Sequence, residues 1–332
     1  MTVKMKQIQM SAFGGPHVLQ TSAVDRPEPG PGELLIQVTA AGVNYSDVMR
    51  RKNVYFMPTP LPYVPGAEVV GTVVARGAGI DHSGPFAPGQ SVLAILPAGG
   101  GYAEYVTNPA QYCVPLPPRI DATQAVAAFV QGSTAHLLIH RIAPDLQNKT
   151  IVIHAAAGGL GSMLVQLAKR EGARVIGTAG TEAKRAAART FGADEVVDYT
   201  RPDWPSEVVR VNDHQKVDCV FEMVGGEIFT RSFECLKYFG AVITYGTAGG
   251  AKGVIDSESC INLSHNVLSF NLAHFINERG AEWQESLGAV IEMIARGDLR
   301  VPVHSPFALD QAAAAHDALE NRRTTGKVVL VP

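Results

Sequence analysis

The sequence predicts an α/β protein in which a doubly wound parallel sheet is combined with a second, β-rich domain. Strand-like and helix-like segments alternate from about residue 121 onwards, which is typical of a parallel sheet covered by helices on both faces. The glycine-rich segment "AAAGGLG" at 155–161 lies between the first of these strands and its helix. The residues before this region contain short apolar runs separated by Gly and Pro turns, which indicates a coiled antiparallel barrel.

The β-rich part is predicted from two clear strands and from dense turn chemistry. The strands are "ELLIQVTAAGV" and "EVVGTVVARG", which are apolar runs interrupted by glycine. The turns are "RPEPGPGE", "MPTPLPYVPG", "FAPGQS" and "LPAGGG". At this spacing "RPEPGPGE" is better interpreted as an ordered surface loop between strands than as a flexible linker.

The second part begins with a helical stretch, "TQAVAAFVQGSTAHLLIHRI". The predicted strands that follow are "TIVIHA", "RVIGTA", "EVVDY", "VDCVFEMV", "AVITYG" and "NVLSFNL", and the predicted helices between them are "GLGSMLVQLAKREG", "TEAKRAAARTFG" and "IFTRSFECLKYFG". The tail contains two further helices and a last strand, "GKVVLVP", which we expect to return to the first domain. We therefore predict a discontinuous domain at 1–124 and 273–332, and a nucleotide-binding domain at 125–272.

Composition excludes several classes of protein. With 332 residues, 46% hydrophobic and 18% charged, the chain can bury full cores and is not disordered. The net charge of −3 and the lack of a long Lys/Arg run argue against a nucleic-acid partner. No apolar run reaches the ~18 residues of a membrane helix, and no signal peptide is recognisable. The four cysteines form no C-x-x-C pair, so we expect free thiols and a cytoplasmic location.

The segment "AAAGGLG" matches the dinucleotide fingerprint A-x-G-x-x-G in its expected place between a strand and a helix. Gly158 would let the backbone approach a pyrophosphate, and Gly161 would let the helix pack closely on the strand. The helix N-terminus would then offer N–H groups and its positive dipole end to phosphate. The alternative is a tight turn with no ligand.

The end of the second strand favours NADPH over NADH. An NAD site usually has an acidic residue there, but Thr178 is followed by Ala179 and Gly180. Lys184 and Arg185 come shortly after and could attract a 2′-phosphate. The competing interpretation is a solvated helix face, with Glu182 also close to these cations.

A family resemblance extends along nearly the whole chain. It rests on "GVNYSDVMRR…VY", "YVPGAEVVGTV", "GGGYAEY", "GSTAHLL", "VIHAAAGGLGSMLVQLAKREGARVIGTAGTEAK" and "TTGKVVL". The sequence resembles the medium-chain dehydrogenase/reductase superfamily in its zinc-free, zeta-crystallin-like quinone oxidoreductase branch. The resemblance implies a Rossmann doubly wound parallel sheet plus a GroES-like β-barrel domain, with NADPH in the cleft between them.

The resemblance also assigns cofactor-binding residues. Lys184, Tyr199 and Arg322 would surround the 2′-phosphate, with Arg323 as a rival of Arg322. Thr134 and Asn44 would lie near the nicotinamide. The other implied contacts with the cofactor are Gly158, Gly159, Leu160 and Gly161 at the pyrophosphate, Thr178 at the end of the second strand, and Phe270 and Leu272 on the sixth strand near the nicotinamide ring.

The same comparison predicts that no metal is bound. The three zinc ligands of zinc-dependent relatives correspond here to Asn44, Ala67 and a position near Val130, and none of these side chains is a zinc ligand. The histidines are dispersed, and we interpret His17, His82, His136, His140, His154 and His316 as packing or surface residues.

Without a Lewis acid, the easier reaction is hydride transfer to an acceptor that is already electron-poor. We therefore predict reduction of quinones or related carbonyl acceptors, with Asn44 and Tyr55 as the catalytic residues. An enoyl or alkenal double-bond reductase is the alternative, because enoyl-thioester reductases of the superfamily place a catalytic tyrosine where Tyr55 stands. The second family aromatic is replaced by Met49. A further alternative is an NADPH-binding sensor or structural protein without turnover.

The oligomeric state is predicted from the sixth strand. "NVLSF" is an apolar edge strand that needs covering, and pairing across a two-fold axis is the superfamily's usual arrangement. We therefore expect a homodimer. Its expected substrate is a small-molecule quinone or enone, and we expect it to bind neither nucleic acid nor a membrane.

Overall fold

The computed structural model of the chain describes residues 3–81, 83–118 and 120–332. His82 lies outside the described residues, so its predicted packing or surface role is not addressed. The chain divides into two compact units. One unit comprises Met1–Val130 with Ile291–Pro332, and the other comprises Gln131–Val290. We call them the antiparallel unit and the parallel unit after their sheets.

The elements have the following bounds. The strands are β1 Lys4–Gln9, β2 Gln20–Asp25, β3 Glu33–Val43, β4 Glu68–Arg76, β5 Ser91–Ile95, β6 Tyr105–Pro109, β7 Cys113–Pro115, β8 Thr150–Ile153, β9 Arg174–Thr178, β10 Glu195–Val197, β11 Val217–Glu222, β12 Leu236–Thr244, β13 Asn266–Ser269, β14 Phe307–Ala308 and β15 Val328–Val331. The α-helices are α1 Tyr45–Arg51, α2 Ala122–Ala125, α3 Thr134–Leu137, α4 Gly159–Arg170, α5 Glu182–Thr190, α6 Trp204–Val211, α7 Gly226–Ser232, α8 Ser257–Leu263, α9 Leu272–Glu278, α10 Gly280–Arg296 and α11 Ala312–Glu320.

The antiparallel unit is organised around the long strand β3. Its main sheet has the order β14-β15-β3-β4-β5-β7, and β6 also pairs with β3. The two predicted strands, β3 and β4, form the centre and lie antiparallel. A side chain at Gly71 of β4 would place its Cβ 2.2 Å from the Gln37 carbonyl oxygen, so this glycine permits the close approach of the two strands. The C-terminal strand β15 is antiparallel to β3, with Val328 opposite Val43.

The parallel unit contains a doubly wound sheet in the order β10-β9-β8-β11-β12-β13, with all neighbouring strands parallel. If the six strands are numbered as they follow one another along the chain, their order across the sheet is 3-2-1-4-5-6. The direction of winding therefore reverses between β8 and β11. Ligands of such sheets bind outside the carboxyl ends of the strands at this reversal. Within the described residues, no helix combines the length and apolarity needed to cross a membrane.

Three local predictions were wrong or incomplete. The predicted helix at "IFTRSFECLKYFG" ends at Ser232, and Leu236 already begins β12. The aromatic pair Tyr238 and Phe239 favours the strand, and Phe239 has a left-handed φ of 64° where the register with β11 shifts. Helix α6 was not predicted. The stretch at 123–142 is helical but contains the π-helical segments Ala128–Ser133 and Leu138–Ile142.

Candidate functional site

The glycine-rich turn adopts the geometry of a phosphate-binding loop. After β8 the chain turns at Ala155, which has a left-handed φ of 52°, and α4 begins after the extended residue Gly158. A Cβ at Gly161 would lie 2.3 Å from the Ala155 carbonyl oxygen, so this glycine lets the helix pack against the turn. The first N–H groups of α4 have no acceptor one turn earlier in the helix, and they carry its positive dipole end.

Gln131 covers this turn and was not singled out from the sequence. Its Oε1 would lie 2.2 Å from a Cβ at Gly159, so the amide packs directly on the glycine backbone. Among the described residues, Gln131 Oε1 is buried and has no hydrogen-bond partner. A buried acceptor without a donor indicates room for a donor from a ligand. Gln131 lies three residues before Thr134, and this helical spacing was the signal that could have found it.

The end of β9 is locked to the core by His154. Its Nδ1 lies 2.8 Å from the Thr178 Oγ1, and its Nε2 lies 3.1 Å from the Ser232 Oγ. The His154 ring also stands edge-on to Tyr199, with centroids 6.3 Å apart. The structure thus brings Thr178 and Tyr199 together around a buried imidazole. Because the Thr178 hydroxyl is engaged inside the unit, a contact of its side chain with a cofactor would compete with His154.

The predicted phosphate-binding cations differ in their surroundings. Arg185 forms ion pairs with Glu182 at 2.9 Å and with Asp198 at 2.7 Å. Lys184 is half-buried in the first turn of α5, and its backbone N–H donates to the Thr181 hydroxyl at 3.3 Å. Arg185 thus holds both nearby carboxylates in ion pairs, and Lys184 adds a second positive charge at this strand end.

Arg322 belongs to the antiparallel unit and follows α11 in a left-handed conformation, with φ 56°. Its rival Arg323 is engaged in an ion pair with Asp317. Arg322 remains the predicted contact of the 2′-phosphate, with Arg323 as its rival.

The residues predicted on the sixth strand lie beyond it. Strand β13 ends at Ser269, and the Phe270 N–H donates to the Thr244 carbonyl at 3.0 Å. Leu272 is the first residue of α9 and not a strand residue. The reason is the helix cap, since the Asn271 side chain accepts a hydrogen bond from the His274 N–H at 3.2 Å.

Asn44 lies in a buried polar cluster of the antiparallel unit. It caps α1, and its N–H donates to Asp47 Oδ2 at 2.8 Å. The Asn44 Nδ2 donates to Glu68 Oε1 at 2.8 Å, and the Lys327 Nζ donates to Asn44 Oδ1 at 2.9 Å and to Glu68 Oε1 at 2.5 Å. Lys327 and Glu68 are 0% exposed and Asn44 is 4% exposed. The Val130 N–H completes the cluster with a bond of 2.9 Å to Glu68 Oε2.

Asp47 connects this cluster to a second buried group. Burial raises the pKa of Asp47 to about 6, although hydrogen bonds from the Asn44 and Gly66 N–H groups oppose the shift. The Tyr102 hydroxyl lies 3.5 Å from Asp47 Oδ2 and 3.0 Å from the Nε2 of His316. His316 is fully buried, and burial lowers its pKa to about 3.

Tyr55 follows α1 in a surface segment with exposed apolar neighbours. Its ring lies under the Arg50 guanidinium, 4.4 Å from ring centroid to carbon, and packs against Phe56 at 4.5 Å. Burial raises the pKa of Tyr55, so its hydroxyl remains protonated and available as a donor at neutral pH. Val54, Phe56 and Met57 in the same segment are exposed by 44–60%. Such a patch is typical of a surface that contacts a ligand or a partner.

Five of the histidines interpreted as packing or surface residues lie in the described part of the chain. His154 and His316 are buried, and His17 is exposed. His136 and His140 are not dispersed, because they stand four residues apart with ring centroids 4.2 Å apart. Their H-x-x-x-H spacing is visible in the sequence and contradicts the expectation that the histidines are dispersed. His136 Nδ1 is hydrogen-bonded to the Ser286 hydroxyl at 2.8 Å.

The buried histidines predict that acid destabilises the protein. Burial lowers the pKa of His154 and of His316 from 6.5 to about 3, so the unfolded chain takes up protons between these values while the folded residues do not. Stability should therefore fall as pH decreases from about 6.5 towards 3. Asp47 acts in the opposite direction below pH 6, since its folded pKa is raised, but it offsets only part of the loss. We expect a lower urea midpoint at pH 5 than at pH 7, and an equal or higher midpoint would contradict this.

Comparisons with known proteins agree with the fold. Two family models match: alcohol dehydrogenase GroES-like domain over residues 30–118 and zinc-binding dehydrogenase over 159–292. A GroES-like domain combined with a Rossmann sheet defines the medium-chain dehydrogenase/reductase class. A probable quinone oxidoreductase of Schizosaccharomyces pombe is 34% identical over 98% of this chain and 96% of that protein.

Two further relatives show the range of activities around this chain. The Escherichia coli quinone oxidoreductase, solved in complex with NADPH, superposes with a TM-score of 0.88 at 31% identity, covering 98% of this chain and 100% of that one. A 2-haloacrylate reductase of Burkholderia is 31% identical over 96% of both chains. The chain belongs to the quinone oxidoreductase family of the medium-chain dehydrogenases/reductases.

One family model implies zinc, and the residues do not fit it. Zinc sites use Cys, His or carboxylate ligands, whereas Asn44, Ala67 and Val130 offer an amide, a methyl group and an isopropyl group. The adjacent carboxylate, Glu68, is already bonded by the Lys327 ammonium. Across the described part of the chain, no group of three or more His, Cys, Asp and Glu side chains could hold a metal ion.

Proposed function

We propose that the protein is an NADPH-dependent, zinc-independent oxidoreductase that reduces quinones or related electron-poor carbonyl acceptors. The observation that carries the proposal is the glycine-rich turn, where Gly161 permits close packing and Gln131 leaves a buried acceptor without a partner beside Gly159. NADPH, when bound, supplies the hydride. The family relationship and the NADPH complex of the Escherichia coli relative support the choice of cofactor.

The proposed cofactor contacts fall into a pyrophosphate group and a 2′-phosphate group. The N–H groups of Gly159 and Leu160 at the start of α4 suit the pyrophosphate. Lys184 follows β9 and Tyr199 follows β10. These two strands are neighbours in the sheet, and Thr178 at the end of β9 lies opposite Val197 at the end of β10. A cation and a phenol at adjacent strand ends suit a 2′-phosphate, with Arg322 as the third proposed partner. The Gln131 Oε1 would accept a hydrogen bond from a hydroxyl or amide of the cofactor.

The acceptor chemistry follows from the donors that the chain offers. Hydride addition to a quinone gives a hydroquinone anion, and addition to an enone gives an enolate, so each product requires one proton. The Tyr55 hydroxyl can supply that proton, and an Asn44 N–H can stabilise the developing oxyanion. No Lewis acid is needed for an acceptor that is already electron-poor.

The proposal is tested by NADPH oxidation with a panel of quinones and enones. Turnover with quinones supports it, and turnover with enones alone supports the double-bond reductase instead. Binding of NADPH without turnover of either class would indicate a sensor or structural protein. Activity should survive chelators, and elemental analysis showing one zinc per chain would contradict the metal-free mechanism.

The double-bond reductase is the second candidate because of Tyr55 and one relative. The hydroxyl of Tyr55 is held close to Arg50 and remains protonated, as a general acid requires. The 2-haloacrylate reductase among the relatives carries a name that implies reduction of an activated double bond.

The assembly and the location are further proposals. Strand β13 lies at the edge of the parallel sheet, with Val267 and Leu268 half-buried. Covering this edge by a second copy would satisfy its free backbone groups, so we propose a homodimer. A monomeric mass in light scattering at micromolar concentration would count against it. We propose a cytoplasmic location, consistent with four free cysteines.

Replacing Lys184 by glutamine should weaken NADPH binding about ten- to hundred-fold and leave NADH binding nearly unchanged. The reason is the loss of one charge-assisted hydrogen bond to the 2′-phosphate, about 1.5–3 kcal/mol. Lys169→Gln is the matched control, because Lys169 lies in the same unit and pairs with Asp194. Titration of both variants with both cofactors measures the effect. Equal weakening of NADPH and NADH by Lys184→Gln would show that Lys184 does not read the 2′-phosphate.

A further inference from the structure

We propose that Lys327 is a positioning residue that orients the Asn44 amide for hydride transfer. Its buried ammonium occupies the cluster in which zinc-dependent relatives would carry their metal. This inference rests on the proposed function, since it assigns to Asn44 a contact with cofactor or acceptor. Its structural part concerns only the antiparallel unit.

The first argument is the polarity of the contacts. An asparagine amide can be placed in two orientations that differ little in shape, because its oxygen and nitrogen have similar sizes. The Lys327 ammonium can only donate, and it donates to Asn44 Oδ1 at 2.9 Å. Glu68 can only accept while it is ionised, and it accepts from Asn44 Nδ2 at 2.8 Å. The pair therefore selects one orientation, and the described contacts engage only one of the two Nδ2 hydrogens.

The second argument is the convergence of all three former ligand positions on one carboxylate. The Asn44 side chain and the Val130 N–H both bond Glu68, which itself follows Ala67. The Lys327 ammonium bonds the same carboxylate. Lys327 is thus linked to Asn44 directly, and through Glu68 to the positions of Ala67 and Val130, and an ammonium offers no coordination site for a metal.

The third argument is the rigidity of the two partners. The Lys327 N–H donates to the Pro302 carbonyl at 2.7 Å, and its carbonyl accepts from the His304 N–H at 2.8 Å. Glu68 packs so closely on Gly42 that a Cβ there would lie 2.4 Å from its Oε1. The main chain of Lys327 is thus fixed, and the Glu68 carboxylate is held by the Val130 N–H and by its packing on Gly42, as a positioning role requires.

The fourth argument concerns the cost of burying the pair. Lys327 and Glu68 are 0% exposed, and desolvation of such ions often cancels their attraction. An apolar pair of similar volume would serve stability equally well. A buried pair that also controls the orientation of a neighbouring amide has a role that an apolar pair lacks.

The test uses a charge-balanced replacement of the pair, Glu68→Gln with Lys327→Met. This double variant removes both buried charges together, so we expect it to keep the fold. We expect kcat with the best quinone to fall about tenfold, the effect of one hydrogen bond, with the KM for NADPH changed less. Asn44→Ala should cause a similar loss, and the triple variant should lose no more than Asn44→Ala alone.

The matched control is a second buried cation of the same unit. Arg51 is 0% exposed and pairs with Glu320 at 2.5 Å, and its described contacts include neither Asn44 nor Lys327. Arg51→Met with Glu320→Gln should leave kcat within about twofold of the wild type. A similar loss in both double variants, or additive losses in the triple variant, would overturn the proposal and leave Lys327 a structural residue.

A readout without cofactor separates this inference from the proposed function. The side-chain ¹⁵N amide signals of Asn44 are identified by their loss in Asn44→Ala. We expect these signals to be shifted and protected from exchange in the wild type, and to become rapidly exchanging in the charge-balanced variant. Unchanged signals would overturn the positioning role. If the wild type reduces no acceptor, the proposed function fails, while the amide signals still decide whether Lys327 orients Asn44.

Discussion

Replacement of Lys327 by methionine alone is expected to lower the free energy of unfolding by about 3–5 kcal/mol. The change leaves the Glu68 carboxylate fully buried without its cation, and it leaves Asn44 Oδ1 without a donor. An uncompensated charge in such surroundings costs far more than the lost ion pair contributes. This is the largest stability effect that we expect from a single substitution in the antiparallel unit.

The measurement must report on the right unit. Trp204 and Trp283 both belong to the parallel unit, so tryptophan fluorescence follows the other sheet. Hydrogen exchange of the β3 and β4 amides reports directly on this cluster, because Asn44 follows β3 and Glu68 is the first residue of β4. The charge-balanced pair Glu68→Gln with Lys327→Met should restore most of the loss.

An exposed ion pair provides the contrasting control. Lys4 and Asp25 are paired at 2.7 Å with side chains more than half exposed, and such pairs contribute about 0–1 kcal/mol. Lys4→Met should therefore change stability by less than about 1 kcal/mol. A loss below that value for Lys327→Met would show that the buried cluster is solvated or relaxes easily.

The fold class could be predicted because its signals are local. Strand β3 was read as one apolar run, and the glycine-rich turn lies where a strand is followed by a helix. The helix cap at Asn271, which moves Leu272 out of the strand, was also readable but was outweighed by the apolar run before it. Only the second half of the strand at 236–244 was predicted, as "AVITYG", because the register shift and the left-handed Phe239 in its first half depend on pairing with β11.

The buried clusters of the site could not be predicted from local patterns. Lys327 and Glu68 are separated by 259 positions, and Lys327 and Asn44 by 283. Their meeting depends on the antiparallel pairing of β15 with β3, which a motif does not specify. The family resemblance identified Asn44 as replacing a metal ligand, but only the structure shows that a lysine accompanies the replacement.

Replacement of Tyr55 by phenylalanine is expected to distinguish the two reductase classes. The ring and its packing under Arg50 and against Phe56 stay in place, and only the hydroxyl is removed. With an enone acceptor, charge develops on the carbonyl oxygen as hydride reaches the β-carbon, so a nearby donor lowers the barrier. For an enoyl-type reductase we therefore expect kcat to fall about 10²-fold or more, within the range of general-acid catalysis.

A quinone acceptor should respond less to the same change. Its hydroquinone anion is stable enough for water to protonate it later, so the loss should not exceed about tenfold, below the general-acid range. Tyr63→Phe is the control, because Tyr63 also lies near Arg50, at 5.8 Å, but is buried in the core of the antiparallel unit. Steady-state rates of both variants with a matched quinone and enone measure the difference. Since burial keeps the Tyr55 hydroxyl protonated, an unchanged rate with both acceptors could not be attributed to its ionisation, and it would assign Tyr55 to packing alone.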